Sequence, residues 1–370
     1  MRVLLTGGGT GGHIYPALAI ARGIKQQFPE TEILFVGTSK GLEADLVPRE
    51  GFPFRTVTVE GLTRKVSLQA LITLFKTCKG CVDSYRILKD FRPSVVIGTG
   101  GYVCGPVVMI ASILRIATLI HEQNAYPGLT NKLLARLVNK VAVNFPQSKK
   151  YFSPRAQISV TGLPVRPEVQ AATREQAISA LGLDKDKFTV LVVGGSRGAR
   201  SINKAMVRVI TQAAKRSDVQ IVHMTGQLGY EETLADIKAA GIELVNAANI
   251  TVKPYLYNMH EALAAADLVI CRAGATTLAE ISVRGLPAIL VPYPYASDNH
   301  QEFNARAIAD NGAAVMILDR NLTGEELWAQ ITSLFGDRPA LAAMAACSRK
   351  LGKPGALDHL IRLVRELAGL

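Results

Sequence analysis

"GGGTGGHIYPALAIA" (Gly7–Ala21) follows directly on the apolar run Val3–Leu5. A bare glycine loop between a strand and a helical pattern is the opening of an α/β unit. Gly7, Gly9 and Gly12 have the spacing G-x-G-x-x-G, the fingerprint of a dinucleotide-binding turn. The same glycines also suit any loop whose backbone must approach a ligand closely. Two features argue against a dinucleotide. Pro16 suits a first helical turn, so the helix is expected to start beside it, with Gly12 ahead of the helix and His13 in the loop. The next strand, Ile33–Val36, ends in Gly37-Thr38-Ser39, without the carboxylate that would hold a ribose; Glu43 and Asp45 come too late. What stands is an anion-favouring helix start with one imidazole. His13 in that place either takes a proton near neutral pH or caps the helix.

Apolar, β-rich runs alternate with helical patterns along the whole chain. Val3–Thr6, Ile33–Val36, Val95–Ile97 and Ala117–His121 read as buried strands, with Leu18, Ile20, Ala21 and Ile24 at helical spacing between the first two. Such alternation predicts parallel sheets covered by helices. After Gly162–Pro167 the pattern restarts with the strand Thr189–Val193, the loop "GGSRGAR" (Gly194–Arg200) and a helix carrying Ile202, Ala205, Met206, Val209, Ile210 and Ala213 on one face. Two similar halves are therefore expected, 1–163 and 164–355. A polar stretch around Ser348–Pro354 precedes a last amphipathic helix within about 356–370, expected to pack back on the first half.

Composition narrows the class. The chain has 370 residues, 48% of them hydrophobic and 19% charged, which suits two globular domains. Its five cysteines are few and odd in number, and Met1-Arg2 runs straight into a strand, so a reduced, cytoplasmic protein is expected. The most apolar stretch, Val107–Ile120, is broken by Arg115 and too short to span a bilayer. A net charge of +12 implies acidic company: nucleic acid, an anionic membrane face or a polyphosphate substrate. Aromatics are only 6%, and no basic–aromatic alternation supports nucleic acid.

Other loops fall at strand ends, where open α/β sheets bind ligands. "GTGGY" (Gly98–Tyr102) and "HEQN" (His121–Asn124) do so in the first half. In the second half, "GGSRGAR" offers backbone N–H groups and Ser196 to a phosphate. "CRAGATTLAEISVRGLP" (Cys271–Pro287) follows the strand Asp267–Ile270; its helix is expected to start near Thr276 or Thr277. Glu280 then either faces the ligand crevice as a ribose-binding carboxylate or closes a capping box with Thr277. "SDNHQEFNA" (Ser297–Ala305) offers Gln301 and Asn304 to sugar hydroxyls. Cys78 and Cys81 form a lone C-x-x-C on a helical pattern, without the partners of a zinc site. Asp184-Lys185-Asp186 reads as a solvated turn.

Together, "GGGTGGHIYPALAIA", "GTGGYVCGPVV", "HEQNAYPGLTNKLLAR", "VVGGSRGAR", "CRAGATTLAEI" and "DNHQEFNA" occur in the order found in one family, and the chain resembles it over essentially its whole length. That family adds N-acetylglucosamine to undecaprenyl-pyrophosphoryl-muramyl-pentapeptide. The resemblance implies a GT-B glycosyltransferase fold, two Rossmann-like domains facing across a cleft, and metal-independent inverting transfer without a cofactor. It implies peripheral attachment to the cytoplasmic membrane face, an undecaprenyl-linked acceptor, and proteins of cell-wall synthesis and division as partners. Carried over by motif, UDP-N-acetylglucosamine would contact Thr10, Gly11, Gly12, Asn124, Arg166, Ser196, the stretch Ala275, Thr276, Thr277, Leu278, Ala279 and Glu280, and Gln301. Leu256 would hold uracil through its backbone, and Glu280 the ribose. The first glycine loop then serves the acceptor's pyrophosphate, with His13 as general base and Glu122 as a second candidate. The family's "NPVR" reads "LPVR" at Leu163–Arg166, and its serine in "CRSGA" is Ala273. UDP-N-acetylglucosamine 2-epimerases share the fold, and epimerisation needs no lipid acceptor. The segment Thr63–Lys89, basic around Leu68, Leu71, Ile72, Leu74 and Phe75, is expected to dock on the membrane. Leu68, Leu71, Ile72 and Phe75 read as its core face; Leu74, Cys81 and Tyr85 form the apolar line left for lipid.

Overall fold

The computed structural model describes residues 1–60, 68–195 and 197–370. The chain divides into two compact units, Met1–Pro164 with Lys353–Leu370, and Val165–Gly352.

The first unit runs β1 (Arg2–Thr6), α1 (Gly11–Gln27), β2 (Glu32–Gly37), α2 (Glu43–Arg49), β3 (Phe54–Thr56), α3 (Leu68–Phe91), β4 (Val95–Gly98), α4 (Cys104–Ile113), β5 (Ala117–Glu122), α5 (Leu129–Leu134), β6 (Lys140–Val143) and β7 (Ile158–Val160). Its seven strands are ordered β3-β2-β1-β4-β5-β6-β7, and every pairing is parallel. Helices cover both faces, so the strands read as unbroken apolar runs: Val3, Leu4 and Leu5 are all 0% exposed.

The second unit runs α6 (Pro167–Ala171), α7 (Arg174–Leu181), β8 (Phe188–Val193), α8 (Arg200–Ala213), β9 (Val219–Met224), α9 (Tyr230–Ala239), β10 (Ile250–Lys253), α10 (Met259–Ala265), β11 (Leu268–Cys271), α11 (Ala275–Arg284), β12 (Ala288–Leu290), α12 (His300–Ala309), β13 (Ala314–Met316), α13 (Gly324–Gly336) and α14 (Arg338–Leu351). Its parallel sheet has the order β10-β9-β8-β11-β12-β13. The predicted face of α8 is fully used, with Ile202, Met206, Val209, Ile210 and Ala213 at 0% exposure in the core. The last helix, α15 (Ala356–Ala368), belongs to the first unit. Leu360, Ile361, Leu363 and Val364 join Ile14, Leu18 and Ile24 in one apolar cluster, each contributing about 1.5–3 kcal/mol by burial.

Two boundaries differ from the sequence reading. Helix α1 begins at Gly11, not beside Pro16, which lies inside it. Thr10 is the extended N-cap, and His13 N–H donates to Thr10 O at 3.1 Å. Gly12 and His13 are thus first-turn residues, and the Pro16 argument against a dinucleotide loop falls away. Ser348 belongs to α14 and is fully buried, so the polar stretch starts later than expected.

In both sheets the strand order reverses beside the first strand of the unit, between β1 and β4 and between β8 and β11. Ligand crevices in open α/β sheets open at the carboxyl ends of such neighbours. Gly7–Thr10 and Gly98–Tyr102 sit there in the first unit, and Gly194, Gly195, Arg197–Ala199 and Arg272–Gly274 in the second.

Candidate functional site

In the first unit, β1 delivers the glycine loop and β4 delivers Thr99–Tyr102 against it. Gly8 N–H donates to Gly100 O at 3.3 Å. The approach is close: a Cβ on Gly101, at φ +84°, would lie 2.3 Å from Gly8 O. The loop is pinned from the other side by Glu43. Its buried carboxylate accepts from Gly9 N at 3.1 Å, Thr38 N at 3.0 Å and Thr38 Oγ1 at 2.8 Å. The carboxylate that comes too late in sequence therefore reaches the end of β2, where it is occupied by the protein's own donors.

His13 lies half-buried over this junction. Its Nδ1 is 3.1 Å from Thr99 O and 3.2 Å from Gln123 Oε1. Both partners are acceptors, so Nδ1 carries the proton and Nε2 is the basic nitrogen. Glu122, the other candidate base, is 1% exposed. Its two oxygens accept from Asn124 N (2.9 Å), Asn124 Nδ2 (3.3 Å), Gly128 N (3.2 Å) and Asn131 Nδ2 (2.8 Å). Those four bonds shape the HEQN turn and set Asn124 in place. Thr10, Gly11 and Gly12 form the start of α1, whose first turn carries no acidic side chain; this is an electropositive helix end.

In the second unit, Arg166, Leu256, Thr277 and Glu280 line one pocket with Gly195, Met224, Tyr255 and Tyr257. Helix α11 is capped by Gly274, so Thr277 and Glu280 do not form the capping box that the spacing allowed. Glu280 is instead buried and accepts from Arg166 Nε at 2.9 Å. Burial pushes the Glu280 carboxyl up, and the Arg166 guanidinium pulls against that rise. Ala275, Thr276, Thr277 and Ala279 are partly exposed on the first turns of α11, whereas Leu278 is buried and offers only backbone.

A second cavity of about 800 Å³ adjoins it, sharing Val193, Gly195 and Thr277 and lined further by Arg197, Arg200, Lys204, Arg272 and Gln301. Gln301 Oε1 accepts from Ala273 N at 3.1 Å and Tyr293 N at 3.0 Å, tying two strand-end loops together. Asn304, offered to sugars by the sequence, is 0% exposed and donates to Ala273 O at 3.1 Å; it points into the fold. Ser196 lies outside the described residues. Arg272, missed in the sequence, bridges Asp319 (2.5 Å), Ser201 (2.9 Å) and Val291 O (3.1 Å) and braces the cavity wall. Cys104 and Cys271 are buried thiols pushed up to about 12, so both are protonated at neutral pH. Among the described residues, no group of three or more His, Cys, Asp and Glu is arranged to hold a metal ion.

Residues 3–143 match the glycosyltransferase family 28 N-terminal domain, and residues 189–360 match the glycosyltransferase family 28 C-terminal domain. The chain belongs to glycosyltransferase family 28. Within this family-28 frame, it is 54% identical over 99% of both chains to the UDP-N-acetylglucosamine--N-acetylmuramyl-(pentapeptide) pyrophosphoryl-undecaprenol N-acetylglucosamine transferase of Desulforamulus reducens. It is 50% identical over 98% of both chains to the protein of the same name in Moorella thermoacetica. The crystal structure of Acinetobacter baumannii MurG superposes with a TM-score of 0.81, at 32% identity over 99% of each chain. The UDP-GlcNAc 2-epimerase of Neisseria meningitidis shares the fold, at TM-score 0.70 and 13% identity over 99% of this chain and 100% of that one. The family-28 chain is thus an α/β protein of two Rossmann-like parallel-sheet domains, of the GT-B class.

Helix α3 corrects the expected membrane face. Residues 63–67, with Arg64 and Lys65, and the side chains of Leu68, Leu71, Ile72 and Leu74 lie outside the described residues. Phe75, expected in the core, is 73% exposed. With Cys78, Val82 and Tyr85 it forms an exposed stripe at helical spacing, whereas Cys81 is half-buried. Lys79, Arg86 and Lys89 are exposed along it; Lys76 is paired with Glu60. No described helix is long and apolar enough to cross a membrane.

Proposed function

We propose that this chain transfers N-acetylglucosamine from UDP-N-acetylglucosamine to the 4-hydroxyl of N-acetylmuramyl-(pentapeptide)-pyrophosphoryl-undecaprenol, inverting the anomeric centre. The reading rests on full-length similarity at about half identity to transferases of that name. It is supported by the chemistry of the two sites. As the acceptor hydroxyl attacks the anomeric carbon, its proton passes to Nε2 of His13. The new C–O bond forms on the face opposite the leaving group, and the electron pair of the broken bond leaves with UDP. Single-displacement inversion needs one base and no nucleophile. The charge developing on UDP is met by Arg166, by glycine-loop amides and by the start of α11. Glu280 accepts from the ribose hydroxyls, Leu256 holds uracil through its backbone, and Thr10–Gly12 at the start of α1 face the acceptor's pyrophosphate.

The lipid tail stays in the bilayer, so the enzyme comes to it. The Phe75–Tyr85 stripe with Lys79, Arg86 and Lys89 suits shallow insertion into an anionic leaflet. The proposed location is the cytoplasmic membrane face, with proteins of cell-wall synthesis and division as proposed partners. The deciding experiment is transfer of radiolabelled sugar from UDP-N-acetylglucosamine to a short-chain lipid acceptor. Acceptor-independent epimerisation, with no transfer, would overturn the proposal.

A further inference from the structure

We propose that Gln123 is a positioning residue for the base: it fixes the tautomer and the facing of the His13 ring, so that Nε2 is the nitrogen presented to the acceptor hydroxyl. The inference rests on the reading of His13 as the general base. A neutral imidazole populates two tautomers, and only the nitrogen without hydrogen can accept a proton. A half-buried ring that is free to exchange tautomers, or to turn over, is a base for only part of the time.

The bonds around Gln123 remove that freedom. Its Nε2 lies 2.8 Å from Thr99 O, 3.0 Å from His121 O and 3.2 Å from His121 Nδ1. Three acceptors on one side identify that end of the amide as the donor. The carbonyl Oε1 is therefore the end facing His13 Nδ1 at 3.2 Å. The amide cannot reverse without setting its oxygen against two carbonyls.

His121 holds Gln123 in turn. Its Nε2 donates to Gly162 O at 2.9 Å, which leaves Nδ1 as the lone pair that accepts from Gln123. The ring is 0% exposed, and burial pulls it down to about 4, so it stays neutral and keeps this polarity through the working range. The relay thus runs Gly162 carbonyl, His121, Gln123 and His13, with every donor aimed one way, and with His121 0% and Gln123 1% exposed.

The titratable groups on the segments that meet at this junction are His121 and Glu122 on β5, Tyr15 on α1, Tyr102 on the β4–α4 loop, and Glu43, which bonds the glycine loop. Glu43 and Glu122 are bound by backbone and amide donors. Gln123, which is uncharged, is the side chain that meets the ring nitrogen. The role is therefore orientation without charge, which sets polarity at Nδ1 and leaves the imidazolium unsupported by a carboxylate.

The test uses full-length protein labelled with nitrogen-15 histidine. The His13 signals are assigned by their loss in His13→Asn. Long-range proton–nitrogen correlation is expected to show the Nδ1–H tautomer for neutral His13. In Gln123→Met the Nδ1–H signature weakens, because one of the two acceptors at Nδ1 is lost and Thr99 O is left. kcat then falls about tenfold, the low end of what removing a partner that orients a metal-bound histidine costs. Donor KM and UDP binding stay unchanged, while melting falls because buried acceptors on Thr99 and His121 lose their donor. Gln123→Glu keeps the acceptor at His13 Nδ1 and sets its second oxygen against the Thr99 and His121 carbonyls, where it fits only as a protonated donor, so the Nδ1–H signature and most of the turnover are expected to return. Rescue by this conservative variant beside loss in Gln123→Met is an outcome that a merely structural side chain does not produce. An Nε2–H tautomer in the unmodified protein overturns the proposal. So does a folded Gln123→Met with unchanged spectrum and turnover; if that variant does not fold, the tautomer of the unmodified protein and the spectrum and turnover of Gln123→Glu decide. Near-normal turnover in His13→Ala sinks the base reading itself. Loss of turnover there, with Gln123→Met unaffected in rate and spectrum, sinks only the role of Gln123.

Discussion

Arg166 Nε donates to Glu280 Oε1 at 2.9 Å, joining a guanidinium that is 51% exposed to a carboxylate that is 7% exposed. The pair sets a guanidinium against a buried carboxyl group in the pocket that the proposed function assigns to the donor nucleoside. Burial raises the Glu280 carboxyl, and Arg166 opposes that rise. A carboxyl raised in the folded state binds more protons folded than unfolded, so its contribution to stability is present at low pH and is lost as pH rises through the folded value. Arg166→Met lets that value rise further. The variant is expected to be less stable than the parent by about 1–2 kcal/mol at neutral pH, a hydrogen bond to charge discounted for the half-exposed arginine. Its deficit in melting temperature should shrink at about pH 5 relative to about pH 8. An equal deficit at both would show that the charge on Glu280 plays no part.

Glu280→Gln separates nucleoside binding from folding. Gly274, not Thr277, caps α11, so Glu280 has no capping duty to lose. The variant should raise donor KM by about 10–100-fold, the worth of charged hydrogen bonds to ribose hydroxyls, with little change in melting. Titration with UDP by calorimetry, beside a thermal melt, measures both. Early melting with normal UDP affinity would assign Glu280 to structure alone.

His13→Ala removes the basic nitrogen above the glycine loop. Loss of a general base lowers kcat by about 10²–10⁴-fold. UDP affinity should hardly move, because Arg166, Leu256 and Glu280, the residues assigned to the nucleoside, belong to the other unit. Steady-state transfer assays on a soluble short-chain acceptor give kcat, and near-normal turnover would remove His13 from the role.

Gly100 tests the same ring from behind. At φ +110°, a Cβ there would lie 2.7 Å from His13 Nδ1. Gly100→Ala therefore combines a conformation costing about 1–3 kcal/mol for an L-residue with a clash that displaces the imidazole. Turnover should fall towards that of His13→Ala while UDP binding is kept. A variant that transfers sugar at the parent rate would mean that the ring has room to move without consequence.

The exposed stripe of α3 predicts salt-sensitive membrane binding. Basic side chains near an anionic leaflet contribute about 1 kcal/mol each, screened by salt. Sedimentation with anionic vesicles should be clear at low salt, weaken as salt rises, and be slight with neutral vesicles. Lys79→Glu with Arg86→Glu should lower vesicle binding and activity on a long-chain lipid acceptor, leaving the short-chain acceptor unaffected. Equal loss on both acceptors would place these residues in the fold or the active site.

The sequence by itself determined the parallel sheets, the repeated strand–loop–helix opening and the loops at strand ends. Those features are local: continuous apolar runs report strands covered on both faces, and glycines report backbone approach. It also singled out His13, Glu280 and Gln301 as candidate site residues. What it could not assign was the partner of each side chain. Glu43 reaches back 34 positions to Gly9, Gln123 meets His13 across 110, and Arg166 meets Glu280 across 114. The start of α1 was misplaced because proline fits a helix start in general, whereas here the Thr10 carbonyl already accepts from His13 and Ile14. Phe75 was misplaced because helical periodicity gives an angle between residues, and only packing decides which angle faces the core. Tertiary structure decided these points because strand order, not chain order, sets which strand ends are neighbours. A hydrogen bond is specified by the few ångströms between two such ends.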